Sequence, residues 1–273
     1  MAYKHILTLL LGYDGDGPAL RAAVAMAEKM EAAVTALHIR ADALAETPLM
    51  VDVGVALGEL VAAAEKHIER RAQLAKANFE SVTSSTCVYR EEKGAASELL
   101  PRFGRMSDLI VLGRPQAKDA ATAMTMDIEY ALFGTGRPVL LVPAQEASRD
   151  LFDHIVIGWN DSVEATHAVA AGLPVLAKAR RVSLVSLPDA PEAQQSLPAL
   201  IRYLGCHGIS AQALPAPSAT GSAATHLLQA VQDARADLVM MGAYTHSRLR
   251  QLVLGGNTTT MIAHAPIPVF MMH

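Results

Sequence analysis

Three pairs of segments recur along this chain in the same order, and that duplication limits its fold more than any other feature. Residues 4–11, KHILTLLL, are matched by residues 153–160, DHIVIGWN. Residues 107–113, SDLIVLG, are matched by 236–242, ADLVMMG, and 137–143, RPVLLVP, by 267–273, IPVFMMH. His5 and His154 lie 149 residues apart, Asp108 and Asp237 129, and Pro138 and Pro268 130. A conserved order at nearly constant offsets is the mark of an internal repeat. The drop from 149 to 129 makes the first copy about 20 residues longer in its early part. The polar run AQEASRD, residues 144–150, follows Pro143 and reads as the join. Two domains are expected, 1–146 and 151–273.

Each copy alternates strand and helix. Ile6–Leu11 is a nearly continuous apolar run, as a strand buried on both faces requires. Pro18 opens a helix to about Met30, and Ala33–Ile39 is the next strand. Apolar residues at 57, 60, 61, 64, 68, 72, 75 and 79 recur at helical spacing. Strands are expected at Thr86–Tyr89, Leu109–Gly113 and Val139–Val142, with helices at Ala95–Met106 and Asp127–Phe133. The second copy repeats the order, with strands at Ile155–Trp159, Val182–Leu187, Ile209–Leu214, Leu238–Met241 and Val269–Met272. Asp161 and Glu164 fit a capping box before a helix that Pro174 should kink, and Thr220 is expected to cap a later one. Five strands alternating with four helices per copy predict an α/β fold of two tandem, doubly wound, five-stranded parallel sheets. Ligands on such sheets bind at the carboxyl ends of strands near a topological switch point, here the ends of the first and fourth strands. The last strand of each copy leaves an open edge, and pairing Val139–Val142 with Val269–Met272 would bury both as a pseudo-dimer.

Composition removes several classes of function. The net charge is −4, which argues against non-specific nucleic-acid binding and against an anionic membrane surface. No apolar run reaches the roughly 18 residues needed to span a bilayer. The opening MAYKHILTLLLGYDGDG lacks a small-residue cleavage site and reads as a first buried strand rather than a signal peptide. Cys87 and Cys206 stand far apart with no metal-ligand spacing, which suits structural thiols in a reducing cytoplasm. No phosphate loop of the G-x-x-x-x-G-K-[ST] type and no G-x-S-x-G elbow occurs. His167, His226 and His264 stand singly on predicted helices, and ordinary packing accounts for them better than metal binding. Met261, Met271 and Met272 read as core or interface filler.

The segment from Asp237 to His273 carries the chemistry. A buried strand ends in Gly242, and His246, Arg248 and Arg250 follow. The pair Gly255-Gly256 then leads into Asn257, Thr258 and Thr259 at the start of a helix. Glycine lets backbone approach a ligand closely, and the first turn of a helix presents unpaired N–H groups with a partial positive charge. The pattern fits an anion. The bland alternative is a strand end and a turn, with the basic residues on a solvated loop.

Element order, repeat length and the run GAYTHSRLRQLVLGG, Gly242–Gly256, before a Pro-Val final strand resemble the universal stress protein family over the whole chain, as a tandem pair. The resemblance is strongest over 153–273. The family's nucleotide motif is Gly, two residues, Gly, nine residues, Gly, then Ser or Thr. Gly242 and Gly255 take its first and third glycine positions, while Thr245 stands at the second and Gly256 at the Ser/Thr. The family's acidic residue after the first strand falls on Asn160, with Asp14 as the first-half alternative, and backbone near Leu187 would face an adenine. The resemblance thus implies ATP or another adenine nucleotide held by Asn160, Leu187, Gly242, Thr245, Gly255, Gly256, Asn257 and Thr258. In the first half, Asp127 and Glu129 are expected at the N-terminus of the corresponding helix, where carboxylates would repel a phosphate.

Two functions stay open at this point: a cytoplasmic stress-response module that binds nucleotide with little or no hydrolysis, and a ligand-free scaffold acting through protein contacts. No general base or nucleophile is visible in the sequence. Trp159 either stacks on a ligand or packs in the core. A homodimer of tandem chains is compatible with either function.

Overall fold

The structure, a computed structural model, describes residues 2–42, 57–82, 84–114, 118–145, 152–187, 193–215, 221–244 and 256–273; for residues 57 and 118–124 it describes the backbone alone. The first copy contributes β1 (His5–Leu10), α1 (Asp16–Met30), β2 (Ala33–Arg40), α2 (Leu57–Glu80), β3 (Cys87–Lys93), α3 (Ala96–Gly104), β4 (Leu109–Gly113), α4 (Lys118–Thr135) and β5 (Val139–Val142). The second contributes β6 (His154–Trp159), α5 (Val163–Leu176), β7 (Arg181–Ser186), α6 (Ala193–Cys206), β8 (Ala211–Ala213), α7 (Ala223–Ala234), β9 (Leu238–Gly242), α8 (Gly256–His264) and β10 (Val269–Met272).

All ten strands lie in one sheet, ordered β3-β2-β1-β4-β5-β10-β9-β6-β7-β8. Pairing is parallel within each half and antiparallel only at the seam, where Val269 faces Leu141, Phe270 faces Leu140 and Met271 faces Val139. The anticipated pairing of the two final strands is therefore present. Val139, Leu140, Leu141, Val142, Val269, Phe270 and Met271 are all buried. Each such side chain contributes on the order of 1.5–3 kcal/mol relative to exposure. The outer edges are β3, which carries Arg90, Glu91, Glu92 and Lys93, and β8, which is three residues long. Charge and shortness both discourage further strand pairing.

Apolar side chains line both faces of the sheet, which explains the unbroken apolar runs in its central strands. One core packs α1 and α5 against the sheet across the seam, with Ala75 of α2 and Leu197, Leu200 and Leu204 of α6 at its ends. The other packs Leu100 of α3, Ile128 and Leu132 of α4, Leu227 of α7 and Met261 of α8. Trp159 lies in the first core, 6% exposed, and its indole Nε1–H donates to Ser196 Oγ at 2.8 Å. It packs rather than facing a ligand. Further contacts lock the halves: Tyr3 Oη–H donates to the Ala171 carbonyl at 2.7 Å, Lys29 pairs with Asp153 at 3.6 Å, and Arg114 Nη1–H donates to the Ile262 carbonyl at 3.0 Å.

Several local readings change. The helix expected at Asp127–Phe133 begins nine residues earlier, at Lys118, so Asp127 and Glu129 lie inside α4 and not at its N-terminus. An alanine- and methionine-rich stretch has ample helix propensity to extend it. Ser162, not Asp161, caps α5: its Oγ accepts the Ala165 N–H at 3.1 Å, while Asp161 sits in the left-handed region at φ 57°. Ser222 caps α7 by the same bond to Thr225, at 3.3 Å, and Thr220 lies outside the described residues. β3 runs to Lys93, and β8 is shorter than expected. Among the described residues no helix is long and apolar enough to cross a membrane, and no group of three His, Cys, Asp or Glu side chains could hold a metal.

Candidate functional site

Within each half the sheet order reverses direction between the first and fourth strands, so their carboxyl ends frame a crevice. In the second half β6 lies between β9 and β7. Gly242 ends β9 beside the start of α5. A Cβ there would lie 2.5 Å from the Ala165 nitrogen, so only glycine fits. Asn160 follows β6 directly, half-buried, and its Oδ1 accepts the Ser162 Oγ–H at 2.8 Å and the Ser162 N–H at 3.4 Å. Leu187 follows β7 with a buried side chain, its N–H donating to the Trp159 carbonyl at 3.0 Å. Asn160, Leu187 and Gly242 therefore stand at the ends of three adjacent strands, at one rim.

The start of α8 is tied to that rim. Thr258, 6% exposed, accepts the Tyr244 N–H on Oγ1 at 3.2 Å, two residues past Gly242. Asn257 Oδ1 accepts the Ala224 N–H at 3.2 Å, in the first turn of α7. Both side-chain oxygens thus serve the scaffold, leaving backbone as the natural contact for an anion. Gly256 is exposed, and among the described residues a Cβ there would meet nothing within 4 Å. Thr245 and Gly255, and with them His246, Arg248 and Arg250, lie outside the described residues.

In the first half's equivalent crevice, ionisable side chains engage the backbone after β1. Leu11, Gly12 and Tyr13 follow β1, and all three N–H groups donate to the Asp16 carboxylate, at 2.9, 2.7 and 3.3 Å. Asp16 is 2% exposed, and burial raises its pKa to about 6 against the lowering effect of those N–H groups. Arg71 of α2 donates Nε–H to the Leu11 carbonyl at 2.7 Å and lays its guanidinium over the Tyr13 ring, 4.8 Å from the centroid. A Cβ on Gly12, at φ 75°, would lie 2.4 Å from the Arg71 carbonyl oxygen, so α2 packs directly on this loop. His38 of β2 places Nδ1 2.8 Å from the Leu10 carbonyl; burial holds its pKa below the ordinary histidine value. Asp127 is buried, which raises its pKa to about 6, opposed by the Arg71 charge.

The left-handed Gly12 and Asp161 mark the same place in the two copies, since each lies seven residues after the histidine that opens its first strand. Asn160 is thereby matched by Leu11 and not by Asp14, which corrects the first-half alternative. The cluster of Asp16, His38 and Arg71 escaped sequence reasoning. Its signal was available in the repeat itself, once charged residues of one copy are set against neutral ones of the other.

A chain with this tandem sheet and paired strand-end crevices has the architecture of a two-domain universal stress protein. The sequence profile of the Universal stress protein family matches residues 212–273. The whole chain shares its fold with the universal stress protein from Archaeoglobus fulgidus DSM 4304, at 17% identity and a TM-score of 0.61, with 97% of this chain and 95% of that one covered. A functionally unknown protein from Pseudomonas aeruginosa PAO1 matches at 14% identity and a TM-score of 0.57, covering 99% and 92%. A putative universal stress protein from Pseudomonas aeruginosa UCBPP-PA14 matches at 13% identity and 0.55, covering 99% and 93%. Among curated proteins no sequence matches. The resemblance to the universal stress protein family, in its tandem form, thus holds in sequence over 212–273 and in fold over the whole chain.

Proposed function

We propose that this protein is a stress-response regulatory module of two domains, 1–146 and 151–273, that binds one adenine nucleotide, ATP foremost, in the second. The observation that carries this reading is the contrast between the two crevices. In the second, Asn160, Leu187 and Gly242 bring an amide, backbone and a glycine to one rim, and Ala165 leaves it free of the carboxylate that Asp16 puts into the first. The Asn160 amide suits a base or ribose, and the glycine-rich approach to α8 suits phosphates. Thr245, Gly255 and Gly256 belong to the same reading through the family motif.

Titration calorimetry with ATP tests it, using the wild type and Gly256→Asp. Gly256 is exposed with open space around it, so the substitution spares the fold while placing a carboxylate at the start of α8. One site per chain, weakened at least about tenfold in the variant, is the expected result, since the helix N-terminus then meets an anion of its own. Unchanged binding in the variant shows that the site lies elsewhere. The engagement of Asn257 and Thr258 by the Ala224 and Tyr244 N–H groups favours a second reading, a nucleotide-free scaffold acting through protein contacts. Mass spectrometry of gently purified protein separates the two by whether a nucleotide is retained.

A further inference from the structure

The two copies match residue by residue at their crevices. In the β1–β2 ladder Leu10 faces His38, and in the β6–β7 ladder Trp159 faces Ser186, so His38 and Ser186 are equivalent. The buried positions Ala19, Leu20 and Ala23 of α1 repeat as Ala168, Val169 and Gly172 of α5, which sets Asp16 against Ala165. Ile128, Ala131 and Leu132 of α4 repeat as Thr258, Met261 and Ile262 of α8, which sets Asp127 against Asn257. Ile68, Ala72 and Ala75 of α2 repeat as Ala193, Leu197 and Leu200 of α6, which sets Arg71 against Ser196. At four equivalent places around the crevice, the first half carries ionisable side chains and the second small neutral ones.

We propose that Asp16, His38 and Asp127 decide which half accepts a nucleotide, forming an internal plug in the first crevice where the second has Ala165, Ser186 and Asn257. The Asp16 carboxylate takes up the three N–H groups after β1 that an incoming acceptor would need. The buried His38 ring stands beside the end of β1, against the Leu10 carbonyl. Asp127 adds a second buried carboxylate to that of Asp16, opposed by the Arg71 guanidinium, and the pair disfavours an incoming phosphate. The nature of the excluded ligand rests on the reading of the second half as an adenine-nucleotide site.

The test transplants the second half's residues into the first as Asp16→Ala, His38→Ser and Asp127→Asn, each a residue that the equivalent position already holds. ATP binding is measured by calorimetry in this triple variant alone and with Gly256→Asp. The triple variant is expected to gain one site per chain over the wild type, and to keep that site at full affinity when Gly256→Asp weakens the other. No added site in the triple variant overturns the plug, whatever the wild type binds. An added site in the triple variant with none in the wild type upholds the plug and removes the second-half assignment. Circular dichroism checks the fold. Should the triple variant not fold, Ala165→Asp carries the test from the other side: ATP affinity is expected to fall at least tenfold, and unchanged affinity overturns the proposal.

Discussion

His154 Nε2 and Ser183 Oγ lie 2.9 Å apart at the buried end of β6, and His5 Nε2 and Thr35 Oγ1 repeat the contact at 2.9 Å in β1. Asp237 Oδ2 accepts the Asp153 and His154 N–H groups, both at 3.0 Å, as Asp108 Oδ2 accepts those of Lys4 and His5, at 2.7 and 3.0 Å. A buried serine and histidine beside a half-buried aspartate invite a catalytic reading. Ser183 is fully buried, however, and the set stands at the amino ends of the strands, opposite the crevice. The duplicated set staples the first strand of each half to its neighbours. Ser183→Ala removes the hydroxyl partner of a largely buried imidazole, so the second half should lose about 1–3 kcal/mol, measurable as a lower urea midpoint. No loss would mean that the contact is idle.

Separating the halves should expose the seam. A fragment ending at residue 145 uncovers the edge of β5, whose Leu140 and neighbours are buried in the whole chain, where β5 pairs with β10. An open apolar edge recruits another strand. Sedimentation of the fragment should show dimers or aggregates, and a soluble monomer would count against the seam as an obligatory contact.

Asp127 gives a pH-dependent prediction. Burial raises its pKa to about 6, so the folded chain holds the proton more tightly than the unfolded chain does. The sign follows: ionisation costs the fold nothing below about pH 4, costs it progressively from there to about pH 6, and costs a constant amount above that. Asp127→Asn removes the ionisation and reproduces the residue at the matching position of the second half. The variant should exceed the wild type in stability by about 3 kcal/mol at pH 8, with the margin shrinking as the pH falls towards 4. Thermal unfolding at the two pH values reads it. A margin that is constant or larger in acid would reverse the assignment.

The duplication, the parallel sheets and the pairing of β5 with β10 were legible in the sequence because each depends on apolar runs and offsets, which sequence records directly. The rim residues Asn160, Leu187 and Gly242 were legible because strand ends place them. The state of the first crevice was legible only in part. Acidic residues in its helix suggested exclusion of phosphate, yet α4 starts at Lys118, so the repulsion comes from a buried Asp127 and not from a capped helix end. Asp16, His38 and Arg71 meet only after the chain has closed β1, β2 and α2 around one loop, and no local pattern announces such a meeting. Ser162 took the cap from Asp161 because Asp161 is at φ 57°, a left-handed position, and a cap residue needs extended backbone.

Nucleotide turnover should be slow. A hydrolase needs a group placed to activate water beside the phosphates. At the end of β6 stands Asn160, an amide whose oxygen is already engaged by Ser162 and which has no proton-accepting carboxylate to offer. Asp161 is exposed, and its backbone, in the left-handed region, turns the chain into α5. Among the described residues, Asn160 and Asp161 therefore give the rim no placed base. Phosphate release from ATP should stay well below about 1 per second, the lower end of ordinary enzyme rates. Asn160→Asp restores a carboxylate at the position where the family carries an acid. It should alter affinity for the nucleotide more than it alters turnover. Wild-type release at or above about 1 per second, abolished by Gly256→Asp, would show that the second half is an enzyme whose base lies beyond this rim.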